Sequence, residues 1–220
     1  YNLVINAVTN FVNIIFNSVI SSFGNLIATE TKERQYELFQ VYRFFASWVY
    51  GFAVTGFFVL LTPLVRIWLG DAWVLPASAV TLILIDLYFK GDRIVLSNYK
   101  TAAGVFEQDK YLALIQGGVN LVLSIWLVQK IGLAGIYVGT VISGLIANLT
   151  KPVIIYRVCF GRSSRSYFAE SLRYAGTVAV LAAGLKLVGN RVMAQPAIGS
   201  FLLMVVIITL VFNGVFLLLF

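Results

Sequence analysis

Apolar residues run along this chain in long stretches that are oily on every side, without the period-two alternation of half-buried strands. Stretches of about 20 such residues predict helices that cross a bilayer, because 1.5 Å per residue must cover a hydrocarbon core of about 30 Å. Seven are read, at 3–27, 41–65, 75–99, 111–129, 132–157, 172–189 and 197–220. A transmembrane barrel would show short alternating segments instead. The expected fold is all-α: a polytopic transmembrane helix bundle of seven spans.

Polar positions refine that picture. In the first span Asn2, Asn6, Asn10, Asn13 and Asn17 recur every three or four residues, which places them on one helical face. An amide in hydrocarbon needs a partner, so this face looks at another helix or at water; packing and a cavity wall both fit. The segment 28–40 (ATETKERQYELFQ) reads as a polar connection, with Glu30, Glu33 and Glu37 on a solvated loop or helix start. Pro63 and the segment 66–73 (RIWLGDAW) are expected to end the second span at the headgroup level, where Trp is favoured. Gly132, Gly135, Gly139 and Ser143 form a small-residue row that allows close helix approach. Lys151 and Pro152 read as an interruption of the fifth span, 157–173 as a basic loop, and 190–196 as the connection between the last two spans.

The segment 86–111 is the exception to the oily pattern. It carries Asp86, Lys90, Asp92, Arg93 and Lys100. A charge at membrane depth costs a few kcal/mol or more unless it faces a protein interior or a wet cavity. These charges are therefore expected to line a cavity for an anionic substrate. The competing reading is a helix that ends early, with its charges on the cytoplasmic side. Asp86 lies four residues before Lys90, so a plain i,i+4 ion pair competes with any functional role for that carboxylate.

Composition agrees with a membrane protein: 60% of residues are hydrophobic and 11% charged, against about 25% charged in soluble domains. Of the 16 Lys and Arg residues, 12 fall in the regions 28–43, 90–110 and 151–173; the other 4 are Arg66, Lys130, Lys186 and Arg191. By the positive-inside rule the first group is cytoplasmic, with Tyr1 outside and Phe220 inside. There is no histidine, which excludes His-based acid–base catalysis and His-ligated metal within these residues. The single cysteine, Cys159, excludes an intrachain disulfide and a cysteine-rich metal site. Asp71 is the only outer carboxylate, and no catalytic constellation emerges; neither enzymatic activity nor a cofactor is expected. The basic residues flank the spans as topology requires, so nucleic acid is not an expected partner. The chain opens on Tyr1 at the edge of an apolar run with no basic leader, which is expected of a fragment of a longer protein without a signal peptide.

Three segments carry a resemblance: SFGNLIATE at 22–30, Arg93 followed by GVFEQDKY at 104–111, and IGLAGIYVGT at 131–140. Together they resemble the C-terminal half of Gram-positive polysaccharide flippases, within the multidrug/oligosaccharidyl-lipid/polysaccharide exporter superfamily. The resemblance covers most of residues 1–160 and fades to hydrophobicity beyond. It implies a two-lobed transporter, with 1–160 as the five-span C-terminal lobe, 161–220 as two additional helices, and an N-terminal lobe of the same protein as partner. It implies export of an undecaprenyl-diphosphate-linked oligosaccharide repeat across the bacterial plasma membrane by alternating access. On that view Arg93 pairs a phosphate bidentately, while Lys90 and Lys151 act as point charges. Asp86 neutralises one of them or carries a coupling proton or sodium, and Asn6 and Asn13 belong to the cavity wall. Three alternatives stay open. A peptidoglycan-precursor lipid flippase has the same electrostatics. A multidrug cation exporter would favour an acidic cavity. A membrane glycosyltransferase or polymerase would need carboxylates on a sizeable outer loop.

Overall fold

The computed structural model describes residues 1–194 and 197–220. Its regular elements are helices: α1 (Asn2–Asn17), α2 (Ile20–Thr29), α3 (Lys32–Leu69), α4 (Ala77–Asp92), α5 (Ile94–Ala103), α6 (Leu112–Ile131), α7 (Leu133–Ile155), α8 (Arg165–Val192) and α9 (Ile198–Leu219). No strand occurs among the described residues. Six stretches are long and apolar enough to cross a membrane: α1 with α2, then α3, α6, α7, α8 and α9. The expected span at 75–99 is instead α4 and α5, two shorter helices that break at Arg93.

Several expected boundaries are corrected. The polar connection expected at 28–40 shrinks to Glu30 and Thr31, because Lys32 already opens α3. Lys, Glu, Arg and Gln are good helix formers, and the Thr31 hydroxyl caps the helix by accepting from the Arg34 amide at 3.4 Å. Pro63 does not end the second span; it lies inside α3, which runs on to Leu69. Pro152 likewise sits inside α7, which continues to Ile155 and a π-helical turn, Tyr156–Phe160. Membrane helices tolerate such prolines because neighbouring groups satisfy the freed carbonyls. The basic loop expected at 157–173 is helical except for residues 161–164. In the 190–196 connection, Gln195 and Pro196 lie outside the described residues.

The 38-residue α3 is the spine. At 1.5 Å per residue it is about 57 Å long, nearly twice the hydrocarbon thickness. It packs against α4 and α5 and against α8 and α9. Close approach is made by glycines: a methyl on Gly91 of α4 would overlap the Tyr50 ring of α3, and one on Gly51 of α3 would meet Val178 and Phe212. The basic end holds a knot of edge-on rings, with Phe39 against Tyr99 and Tyr156, and Phe160 against Tyr36. Such pairs add about 0.5–1.5 kcal/mol each beyond their buried area.

The helices α6 and α7 form a hairpin turned at Gly132, whose φ of +64° favours glycine. Here the small-residue row acts as expected. Gly135 lies against the backbone of Leu127 and Val128, and Gly139 against Ser124. Side chains of α6 such as Leu114, Leu121, Val122 and Trp126 point outward, which suits contact with lipid.

Candidate functional site

The site is built around the break between α4 and α5. Asp86 and Lys90 share one face of α4, and Lys90 Nζ lies 2.7 Å from Asp86 Oδ2. Lys90 is 57% exposed and Asp86 13%, so the pair reaches from a sheltered carboxylate towards open space. Arg93 occupies the break itself. Its Nη1 donates to the Asn148 side-chain oxygen at 2.6 Å and to the Gly144 carbonyl at 3.2 Å, both on α7. Gly144 leaves room there: a methyl on it would lie 3.6 Å from both Arg93 Nη1 and Asp86 Oδ1. One turn further on, Ser97 of α5 accepts a hydrogen bond from Lys151 Nζ at 3.0 Å.

These groups meet the asparagine face of α1 across a cavity of about 690 Å³. Asn6, Asn13, Asp86, Lys90 and Arg93 all line it. Lys151 is not a wall residue; it reaches the site through Ser97, which is. The α1 helix is held there by two hydrogen bonds: Tyr50 hydroxyl donates to the Asn13 side-chain oxygen at 2.6 Å, and Asn98 donates to the Phe16 carbonyl at 2.9 Å. The row of amides therefore does both jobs that the sequence left open: Asn13 packs, while Asn2, Asn6, Asn10 and Asn17 are exposed on the cavity wall. A smaller adjoining hollow shares Asp86, Lys90 and Arg93 and continues to Asn120, which donates to Thr140 and Ser143 in the hairpin.

A second polar cluster lies at the same break, outside the cavity lining. Arg43 of α3 is 1% exposed. Its Nη1 donates to Glu170 at 2.5 Å, and its Nη2 donates to the Tyr167 carbonyl and the Ser171 hydroxyl at 2.7 Å each. The guanidinium also stacks 3.8 Å above the Tyr167 ring. Tyr167 and Ser171 in turn donate to the Asp92 carboxylate at 3.0 Å. Two of the charges expected to line the cavity are therefore absent from its wall: Asp92 joins this cluster, and Lys100 pairs with Asp109 at 2.6 Å, while Arg43 read only as one of the cations of region 28–43. Sequence reasoning missed the cluster, since its members come from three helices far apart in the chain. Among the described residues, no group of three or more His, Cys, Asp or Glu side chains is placed to hold a metal ion.

The Asp86–Lys90 pair yields a measurable expectation. Lys90 stays largely solvated when its partner is removed, so Asp86→Asn should change stability by less than about 1 kcal/mol. Thermal unfolding of the detergent-solubilised protein measures this. A loss of several kcal/mol for Asp86→Asn would mean that its carboxylate neutralises Arg93 instead.

Fold and cavity define a class: an all-helical bundle, with six stretches long and apolar enough to cross a membrane, that encloses a polar, mixed-charge cavity. No family model, no curated protein and no solved structure matches the chain.

Proposed function

We propose that this chain is the C-terminal part of a flippase that moves undecaprenyl-diphosphate-linked oligosaccharide across the bacterial plasma membrane. The observation that carries the reading is that cations and amides scattered over α1 and the α4–α5 break line one cavity in an otherwise oily bundle. The resemblance at 22–30, 93–111 and 131–140 points the same way. A lipid-linked glycan has a polar head that cannot cross hydrocarbon unsheltered, an anionic diphosphate, and a tail that lipid solvates. Lys90, Arg93 and, behind Ser97, Lys151 supply positive charge for the diphosphate, and Asp86 balances part of it while the cavity is empty. A coupling proton or sodium would act at Asp86. The N-terminal lobe would close the open side of the cavity, and rocking of the two lobes would alternate access to it.

The basic ends face the cytoplasm in this proposal. The start of α3, the α4–α5 break and the start of α8 lie together, joined by Arg43, Asp92 and Tyr167. A net cationic wall disfavours a multidrug cation as cargo.

The test reconstitutes the full-length protein into vesicles loaded with undecaprenyl diphosphate carrying a labelled oligosaccharide. The expected result is a time-dependent rise in label accessible to an external glycosidase, above that of protein-free vesicles. Export of a cationic dye with no movement of the lipid would overturn the proposal. Movement of a peptidoglycan-precursor lipid alone would narrow the cargo to that lipid.

A further inference from the structure

Taking the lipid-diphosphate reading as the basis, we infer that the asparagine face of α1 is a binding track for an uncharged, hydroxyl-rich glycan, distinct from the charged α4–α5 wall of the same cavity. Asn2, Asn6, Asn10, Asn13 and Asn17 fall within about 80° of arc at 100° per residue. Asn13 is used by Tyr50. The side-chain amides of Asn2, Asn6, Asn10 and Asn17 make no hydrogen bond among the described residues, yet all four line the cavity. A membrane helix that leaves a row of amides unpaired on a cavity wall presents two donors and one acceptor per residue to whatever fills that cavity.

The occupant is argued from charge and spacing. The tie from Asn98 to the Phe16 carbonyl fixes the Asn17 end of α1 beside α5, next to Arg93 and Ser97. The other end is fixed by the Tyr1 hydroxyl, which bonds Thr62 near the far end of α3. The charges Asp86, Lys90 and Arg93 stand on the α4–α5 wall of the cavity, whereas the α1 residues along the track carry no ionised side chain. A phosphate would stay with the cations; what extends along α1 must be polar and neutral. The amides recur about once per helical turn, roughly every 5–6 Å, a step of the same order as one pyranose ring. Each amide can both donate to and accept from a sugar hydroxyl. The α1 helix spans about 22 Å between Asn2 and Asn17 at 1.5 Å per residue, room for several sugars in line. Helix packing against another segment uses amides too, and the experiment separates the two.

The measurement is binding of two probes to the full-length protein by native mass spectrometry: undecaprenyl diphosphate alone, and the same lipid carrying a neutral pentasaccharide. The variants are Asn6→Leu, Asn10→Leu and the pair together. Each is expected to weaken the glycan-bearing probe about fivefold, one neutral hydrogen bond's worth, and the pair more than tenfold. The bare lipid should bind each variant as it binds the parent protein. Equal weakening of both probes with a lowered unfolding temperature would show packing amides and overturn the track. Unchanged binding of both probes would overturn it as well. Failure of the parent protein to bind the bare lipid, with Arg93→Ala without effect on either probe, would instead remove the lipid-diphosphate reading on which the track rests.

Discussion

Arg43→Ala is expected to lower the amount of folded protein before any effect on the proposed transport can be read. Arg43 is almost wholly buried and is the hub of the cluster that joins α3, α8 and the end of α4. Deleting one partner of a buried charge cluster costs about 3–5 kcal/mol, because the charge left behind stays buried without compensation. Here that charge is the Asp92 carboxylate, with Glu170 beside it, and the Tyr167 ring also loses its stacking partner. Total stabilities of about 5–15 kcal/mol leave little margin for such a loss. The detergent-solubilised variant should unfold about 10 °C or more below the parent protein. Arg43→Lys keeps the charge but not the fork that reaches Glu170, Tyr167 and Ser171 together, so it should fall between the two. A parental unfolding temperature for Arg43→Ala would mean that this cluster contributes nothing net to stability.

On the flippase proposal, Arg93→Ala should act in the opposite way, sparing the fold and stopping the proposed transport. One guanidinium nitrogen is tied to Asn148 and Gly144, and the side chain lines the cavity beside Asp86 and Lys90. A lost charge-assisted hydrogen bond to a phosphate is worth about 1.5–3 kcal/mol, or about 10- to 100-fold in transport. Arg93→Lys retains the charge without the planar fork and should lose only part of the activity. For the proposed function the readout is cell-surface polysaccharide per detergent-stable molecule, in the full-length protein. Asn148→Ala is the control for a purely structural tie: it breaks the link to α7 but leaves the guanidinium. Were that tie the sole role of Arg93, Asn148→Ala would lower folded protein as much as Arg93→Ala. Normal polysaccharide per folded molecule in Arg93→Ala would remove this residue from the substrate site.

Hydropathy made the helices legible because it responds to the part of a helix that lipid solvates. It misplaced their ends for the same reason. The first turns of α3 are polar yet helical, and Thr31 rather than a fall in hydropathy marks their start. The break at Arg93 was illegible because no proline or glycine pair announces it; Arg93 leaves the helical row to reach Asn148 on another helix. Asp86, Lys90 and Arg93 stood out as charges in an oily run, and the asparagines as a period. Their partners Tyr50, Asn98 and Asn148 did not, since a contact between helices 37 to 82 residues apart leaves no local pattern. Asp92 read as one of the cavity charges and Arg43 as one of the cations of region 28–43, and only packing shows that they are joined through Tyr167 and Ser171.

That junction also bears on how the chain is made. Tyr167 follows Asp92 by 75 residues, and Ser171 follows Arg43 by 128. At about 5–20 residues per second, a ribosome needs roughly 4–15 s to get from Asp92 to Tyr167. Throughout that interval the charges of α3 and α4 lack the partners that bury them in the finished fold. Only the arrival of α8 ends that wait, and a product truncated before Tyr167 would leave Arg43 and Asp92 without these partners.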